Sequence, residues 1–391
     1  MNAITPEGAS KDGEAQSRPE RGRLLGEFSG AFGDLGTFLP LVLGAVTVAG
    51  LSAAGVLFGF GVAFVGAGLF YGLPMPVQPM KAIAAVILTG GLDAGQVAAA
   101  GVLTGIVLLV LGATGAMARI ARLIPQSVTA GLQLGLGLSM GLLGLKLAIE
   151  TPWLGGLALL LLVLLMRLPR WPAAPAMLFA IVLVGWAAGA VETPPAPAFD
   201  PTFPPFVLPS FSDLWHALIV AVVPQMPLTL TNAVIITAAL AHDLFPAARR
   251  VSERSLCLSA GLANLALAPL GAMPMCHGAG GLQAQYRFGA RTGAAPIFLG
   301  IILLVLALGF AGWAGDLFAF VPPAAVGALL LVAGTDLAIS KRLFDARPDC
   351  WPAIGITAAA TLLVNPAVGL VCGWFVEFGR STAAARGIRS R

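Results

Sequence analysis

Apolar residues run through this chain in blocks that repeat from residue 28 to residue 380. Many are about 20 residues long, enough for a helix to span the hydrocarbon core of a bilayer. The blocks are 28–49, 51–72, 76–90, 95–118, 124–149, 153–168, 174–191, 212–241, 254–270, 276–287, 294–315, 320–340, 350–365 and 366–380. Two of them, the third and the tenth, are short and interrupted by proline. In "LPMPVQPMKAIAAVILTGG" (73–91) Pro74, Pro76 and Pro79 exclude a regular helix interior, and a helix of about three turns starts only at Met80. The text rhymes across the chain, with "MPVQPMKA" at 75–82 and "MPMCHGAG" at 273–280.

Composition agrees with a membrane protein. The chain is 58% hydrophobic and 10% charged, with a mean hydropathy of +0.91; soluble domains carry about 25% charged residues. Residues 1–27 are polar and predict a flexible tail without the pattern of a signal peptide. Four cysteines form no CxxC pair, so neither a disulfide framework nor a zinc site is indicated, and no cofactor is implied. The net charge of +4 reports orientation rather than a nucleic-acid partner. If the N-terminus lies inside, the inner connections hold Arg119, Arg122, Arg167, Arg170, Arg249, Arg250, Arg287, Arg291, Lys341 and Arg342. The outer ones hold Asp93, Glu150, Glu192, Asp200, Asp213 and Asp316. This is the positive-inside rule, and it puts both termini in the cytoplasm, with 381–391 as a basic tail.

Fourteen segments divide into seven plus seven at the Pro-rich outer linker 192–211. An odd number of crossings per half gives the halves, 28–191 and 212–380, opposite orientations. The predicted fold is thus an all-α polytopic membrane protein built as an inverted repeat with two broken helices, segments 3 and 10. Paired interrupted segments point to a transporter binding site, because non-helical backbone at membrane depth survives only inside protein or beside a wet cavity. Each half-helix begins with unpartnered N–H groups and roughly half a positive charge. Lys81 in the first turn opposes that dipole unless an anion binds there. Two helix ends and one lysine suit a divalent oxyanion. The other readings are that Lys81 snorkels to the surface or pairs with Asp34.

Segment 1, "FSGAFGDLGTFLP", is loosened by Gly30, Gly33 and Gly36 and carries Asp34 about two turns in, with Thr37 one turn on. An intramembrane carboxylate is a functional candidate. It would repel a dianion unless protonated, which suggests proton coupling; a structural pair with Lys81 is the alternative. Its inverted counterpart, segment 8, reads "VPQMPLTLTNAVIITAAL" and is expected to break at Pro224 and Pro227. Gln225, Thr229 and Asn232 lie at roughly helical spacing and either solvate an oxyanion or bond neighbouring helices. His277 opens the half-helix of segment 10, as an anion or proton ligand or with a structural hydrogen bond; Gly278, Gly280 and Gly281 allow close approach. "GLSMG" (137–141) matches the G-x-S-x-G nucleophile pattern around Ser139, so an intramembrane serine hydrolase is the rival class. The motif lies inside a membrane segment, where small residues serve helix packing.

The stretches "SGAFGDLGTFLP", "MPVQPMKAIAAV", "PQMPLTLTNAVI", "HDLFP" and "GAMPMCHGAGGLQAQYRFGARTG" resemble the signature stretches of the molybdate transporter family, a relative of the SulP sulfate transporters. The resemblance covers residues 24–380. It implies a SulP/uracil-transporter-like fold with a core domain (segments 1–4 and 8–11) and a gate domain (5–7 and 12–14), and no STAS domain. It implies a secondary transporter importing molybdate, with sulfate the close competitor; the plasma membrane is the expected location, the proton is the coupling ion expected from Asp34, and a homodimer is left open. The anion would sit between segments 3 and 10 against 1 and 8. The candidate ligands are Gly36, Thr37, Gln78, Met80, Lys81, Gln225, Thr229, Asn232, Cys276, His277 and Gly278, with Asp34 for coupling.

Overall fold

The computed structural model describes residues 20–117, 119, 125–168, 173–191 and 195–389. Most of the expected tail, with Arg122, Arg170 and Glu192, lies outside the described residues. Segment 1 forms two helices, α1 (Glu20–Ala31) and α2 (Leu35–Thr47), either side of Asp34. They are followed by α3 (Ala53–Tyr71), β1 (Gln78–Pro79), α4 (Lys81–Leu88), α5 (Ala94–Thr114), α6 (Gln126–Ala148), α7 (Pro152–Met166) and α8 (Ala173–Ala187). The second half comprises α9 (Phe211–Leu244), α10 (Glu253–Leu267), β2 (Met275–Cys276), α11 (Ala279–Arg287) and α12 (Ala294–Gly309). It ends with α13 (Ala311–Phe320), α14 (Pro323–Ala338), α15 (Trp351–Leu363) and α16 (Pro366–Arg389). Among the described residues five helical stretches are long and apolar enough to cross a membrane, or six if the pair α13–α14, bent by 85°, counts as one.

The breaks differ from expectation in four places. The chain is not all helix: β1 and β2 form a two-stranded antiparallel ribbon that pairs Gln78 with Cys276 and Pro79 with Met275. The prolines that forbid helix leave extended backbone, and the ribbon supplies its hydrogen bonds inside the protein. Segment 8 does not break. α9 runs for 34 residues, with π-helical stretches at Leu218–Val222 and Thr229–Ile236. Widened turns absorb the donors that Pro224 and Pro227 lack. Segment 11 stops at Gly309, where Asp200 N–H and Thr202 N–H from the linker donate to Gly309 O (2.8 Å) and Leu308 O (3.2 Å). Helix α1 covers residues expected in the tail. Buried Glu27 accepts from Arg291 N–H at 3.0 Å, and α16 likewise continues to Arg389.

Helices pack through glycine pairs. A Cβ on Gly137 or Gly144 of α6 would lie 2.5 Å from Gly334 O or 2.7 Å from Gly327 O of α14. One on Gly61 or Gly68 of α3 would meet Gly300 O at 3.0 Å or Gly293 O at 2.6 Å of α12. Each glycine pair recurs seven residues apart along its helix, so one face is small over two turns. Lipid gives helices no hydrophobic drive to associate, and close backbone approach supplies the dispersion energy instead.

Candidate functional site

The two half-helices point their first turns at the middle of the molecule, joined through the ribbon. Gln225 from α9 caps one of them. Its Oε1 accepts from Ala82 N–H (2.8 Å) and Ile83 N–H (3.2 Å), and its Nε2 donates to Thr229 Oγ1 (2.9 Å). Two of the donors that α4 was expected to offer an anion are therefore taken. Met80 brings none of its own, since its N–H donates to Pro274 O at 2.9 Å and its side chain is fully buried. What remains at this end is the half-buried Lys81. Among the described residues the ion pairs are Arg347–Asp349, Arg380–Asp349 and Arg380–Glu377, so Lys81 belongs to none.

Asp34 does not pair with Lys81. It is buried at the turn between α1 and α2, and Gln78 Nε2 reaches both carboxylate oxygens at 2.7 Å. Thr37 Oγ1 also donates to Asp34 and receives Gln78 Nε2 at 2.9 Å. The amide oxygen of Gln78 lies against Gly278, where a Cβ would stand 1.8 Å from it. A Cβ on Gly281 would stand 2.5 Å from Asp34 Oδ2. Asp34 thus lies over the first turn of α11, whose Ala279 and Gly280 N–H groups have no intrahelical acceptor.

His277 turns its ring away from this centre. Nδ1 is 2.9 Å from Pro76 O, and Nε2 is 2.9 Å from Ser259 Oγ, which is 2.7 Å from Tyr71 OH. A carbonyl only accepts, so Nδ1 carries hydrogen and donates, and Nε2 accepts from Ser259. The ring ties the second break to the first. Its backbone carbonyl accepts from Thr237 Oγ1 at 3.0 Å. Asn264 holds the ribbon in place, donating to Met275 O (2.6 Å) and accepting from Met275 N–H (2.8 Å).

Three adjoining cavities lead to Lys81. The innermost, about 40 Å³, is walled by Gln78, Lys81, Gln133, Gln225, Thr229, Asn232, Cys276 and Gly278. A second of about 30 Å³ shares Lys81 and adds Gly36, Thr37, Met140 and Asp336. A third of about 240 Å³ shares Gly36, Thr37 and Asp336 and reaches Arg287, Leu168 and Pro175 at the helix ends. A Cβ on Gly36 would meet nothing within 4 Å. Of the residues expected from sequence, Asp34, Met80 and the His277 ring stand apart from these cavities; the others line them. Gln133 of α6 and Asp336 of α14 were missed. Each is a strongly polar residue within a mostly apolar segment, the signal that singled out Asp34. A cavity of about 650 Å³ between α3 and α10 is apolar apart from Ser255, Ser259 and His277, and offers a desolvated dianion little.

Ser139 donates to Gly135 O at 3.0 Å within its own helix, and the glycines of its motif pack α6 on α14. The serine-hydrolase pattern is a helix-packing pattern. No group of three or more His, Cys, Asp or Glu able to hold a metal occurs among the described residues.

The fold matches the transmembrane domain of the cyanobacterial bicarbonate transporter BicA with a TM-score of 0.69 at 18% identity, covering 90% of this chain and 97% of that one. The murine anion transporter Slc26a9 matches with a TM-score of 0.69 at 13% identity, over 98% of this chain and 74% of that one. By sequence the chain is 33% identical to Molybdate transporter 1 of Arabidopsis thaliana, over 91% of this chain and 90% of that protein. It is 32% identical to Molybdate transporter 1 of Chlamydomonas reinhardtii, over 89% of each. A family described as "Molybdate transporter of MFS superfamily" matches residues 26–140 and 217–337. Those two blocks contain both broken segments and the helices that pack against them, and the chain belongs to the molybdate transporter family, with the fold of the SulP-type anion transporters.

Proposed function

We propose that this protein is a secondary active transporter that carries molybdate across the plasma membrane into the cytosol by alternating access, with proton coupling through Asp34. The observation that carries the reading is the unpaired Lys81 at the first turn of α4, in a cavity otherwise walled by neutral polar groups: Gln78, Gln225, Thr229, Asn232 and the start of α11. Lys81 and two helix N-termini of roughly half a charge each bring about two positive charges to one point. Amides and hydroxyls solvate the oxygens without adding net charge.

The packing supports an inverted repeat with the core and gate assignment. Segment 2 lies on segment 11 (α3 on α12) and segment 9 on segment 4 (α10 on α5), two contacts exchanged by a pseudo-twofold axis. Segment 5 lies on segment 12 (α6 on α14), and β1 on β2, contacts that such an axis maps onto themselves. The core would slide on the gate and carry the anion with it. The wide cavity at the Arg287 end is then the cytoplasmic vestibule, since basic connections mark the inner side, and the termini are cytoplasmic.

The test is uptake of radiolabelled molybdate into proteoliposomes with excess sulfate present. Uptake that survives a hundredfold excess of sulfate supports molybdate as substrate. Uptake abolished at equimolar sulfate replaces it with a general tetrahedral oxyanion, and no molybdate uptake at all removes the reading.

A further inference from the structure

The innermost cavity has one wall that does not belong to the core. Every residue around it comes from β1, α4, α9, β2 or the Gly278 turn, except Gln133. Gln133 sits two turns into α6, the helix that packs against α4 on one side and α14 on the other. Its Oε1 is buried with no hydrogen-bond partner. The other glutamines of the cavity are engaged: Gln78 on Asp34 and Thr37, Gln225 on the end of α4 and Thr229. A buried amide oxygen without a partner costs about 1–3 kcal/mol, and a helix of a membrane protein has apolar side chains available for the same space.

We infer that Gln133 is a gate-borne ligand of the transported oxyanion, donating its amide NH₂ to an anion oxygen across the core–gate interface. This rests on the proposed oxyanion site at Lys81. Rotation about the last side-chain torsion exchanges the amide's oxygen and nitrogen, so the group turns two donors into the cavity when an anion enters and needs no backbone movement. A ligand on the gate differs in kind from one on the core. Gln78, Gln225 and Lys81 travel with the anion when the core slides, whereas Gln133 stays behind. It therefore strengthens binding only in the conformation that brings α4 beside it, which is the one open toward Arg287. Gln133 would set a difference in affinity between the two faces of the membrane, and its hydrogen bond must break at each transit.

The experiment compares wild type, Gln133→Leu, Gln133→Glu and Lys81→Ala in proteoliposomes of fixed orientation. Molybdate half-saturation is measured separately from each face, alongside calorimetric binding to the purified protein. Loss of a hydrogen bond to a charged group predicts that Gln133→Leu weakens binding roughly tenfold from the Arg287 face and changes it less than twofold from the other. Gln133→Glu, of the same shape but anionic, weakens it further from the Arg287 face. Equal loss from both faces would make Gln133 a structural residue, and no loss from either would make it a bystander; both outcomes overturn the inference while Lys81→Ala still abolishes binding. If Lys81→Ala binds like wild type, the site itself is misplaced and both readings fall together.

Discussion

The beginnings of α4 and α11 each follow one strand of the β1–β2 ribbon, yet their chemistry differs. At α4 two N–H groups are capped by Gln225 and the first helical residue is a lysine. At α11 the turn is Gly278-Ala279-Gly280-Gly281, uncapped by any side chain, with the carboxylate of Asp34 over it. One end presents a fixed cation beside a neutral amide; the other presents bare backbone beside a group that can take up a proton. Under the proposed inverted repeat, the two helix ends would divide the labour between them. A symmetric pair of lysines would hold a dianion too tightly to release it, and a symmetric pair of carboxylates would exclude it.

The largest effect should come from removing the cation. Lys81→Ala takes away the one full charge that faces the cavity without a counter-ion. Truncating one partner of a desolvated charge pair costs about 2–5 kcal/mol, so molybdate affinity should fall at least about thirtyfold while the protein stays folded, since Lys81 supports no ion pair. Calorimetry on the purified variant checks it. An unchanged affinity would mean that the asymmetry between the two ends has nothing to do with substrate.

A paired substitution sharpens the comparison within α11. A Cβ at Gly278 would stand 1.8 Å from Gln78 Oε1, whereas at Gly280 it would meet nothing within 4 Å. Gly278→Ala should push Gln78 off Asp34, lower the unfolding temperature and cut uptake about tenfold, a cost of the order of a broken hydrogen bond to a charged group. Gly280→Ala should fold as well as wild type or better, by up to about 1 kcal/mol. Equal behaviour of the two variants in thermal unfolding and uptake would remove the Gln78–Gly278 contact from the design.

Much of this architecture was legible in the sequence, and the rest failed for physical reasons. Apolar block length located the middle of the helices, because a span needs about 20 apolar residues, but α1 starts eight residues before its block, segment 11 ends six residues early at Gly309 and α16 runs nine residues past its block. The rhyme of "MPVQP" and "MPMCH" located the two breaks, because proline cannot hide in a helix. Proline misled at Pro224 and Pro227, where the cost of a missing donor was met by π-helical widening rather than by a break. His277 drew notice for its ring, but the ring bonds Pro76 O and Ser259, and only three-dimensional proximity decides which way an imidazole turns. Gln133 and Asp336 carried the same signal as Asp34, a strongly polar residue within a mostly apolar segment. Neither lies in a segment broken by proline, and neither stands beside a second polar break that would mark it.

The smallest effect on affinity, and the most informative for mechanism, should come from Asp34→Asn. Gln78 lines the anion cavity and holds Asp34 at 2.7 Å through both oxygens, so an anion in that cavity is one side chain away from the carboxylate. Protonating Asp34 removes a like charge from beside the dianion. Proton and anion binding should therefore favour each other, by the same factor in both directions. The sign follows: acid on the entry side speeds uptake, and the gain is lost as the pH rises and Asp34 ionises. Asparagine is neutral at every pH and keeps an acceptor for Gln78, so Asp34→Asn should hold affinity within about threefold, a fraction of one hydrogen bond, while flattening the pH dependence. Uptake into liposomes over a series of external pH values, wild type beside Asp34→Asn, measures it. If the variant transports and keeps the original pH profile, the proton enters elsewhere, and the second half-helix differs from the first only in what it packs against.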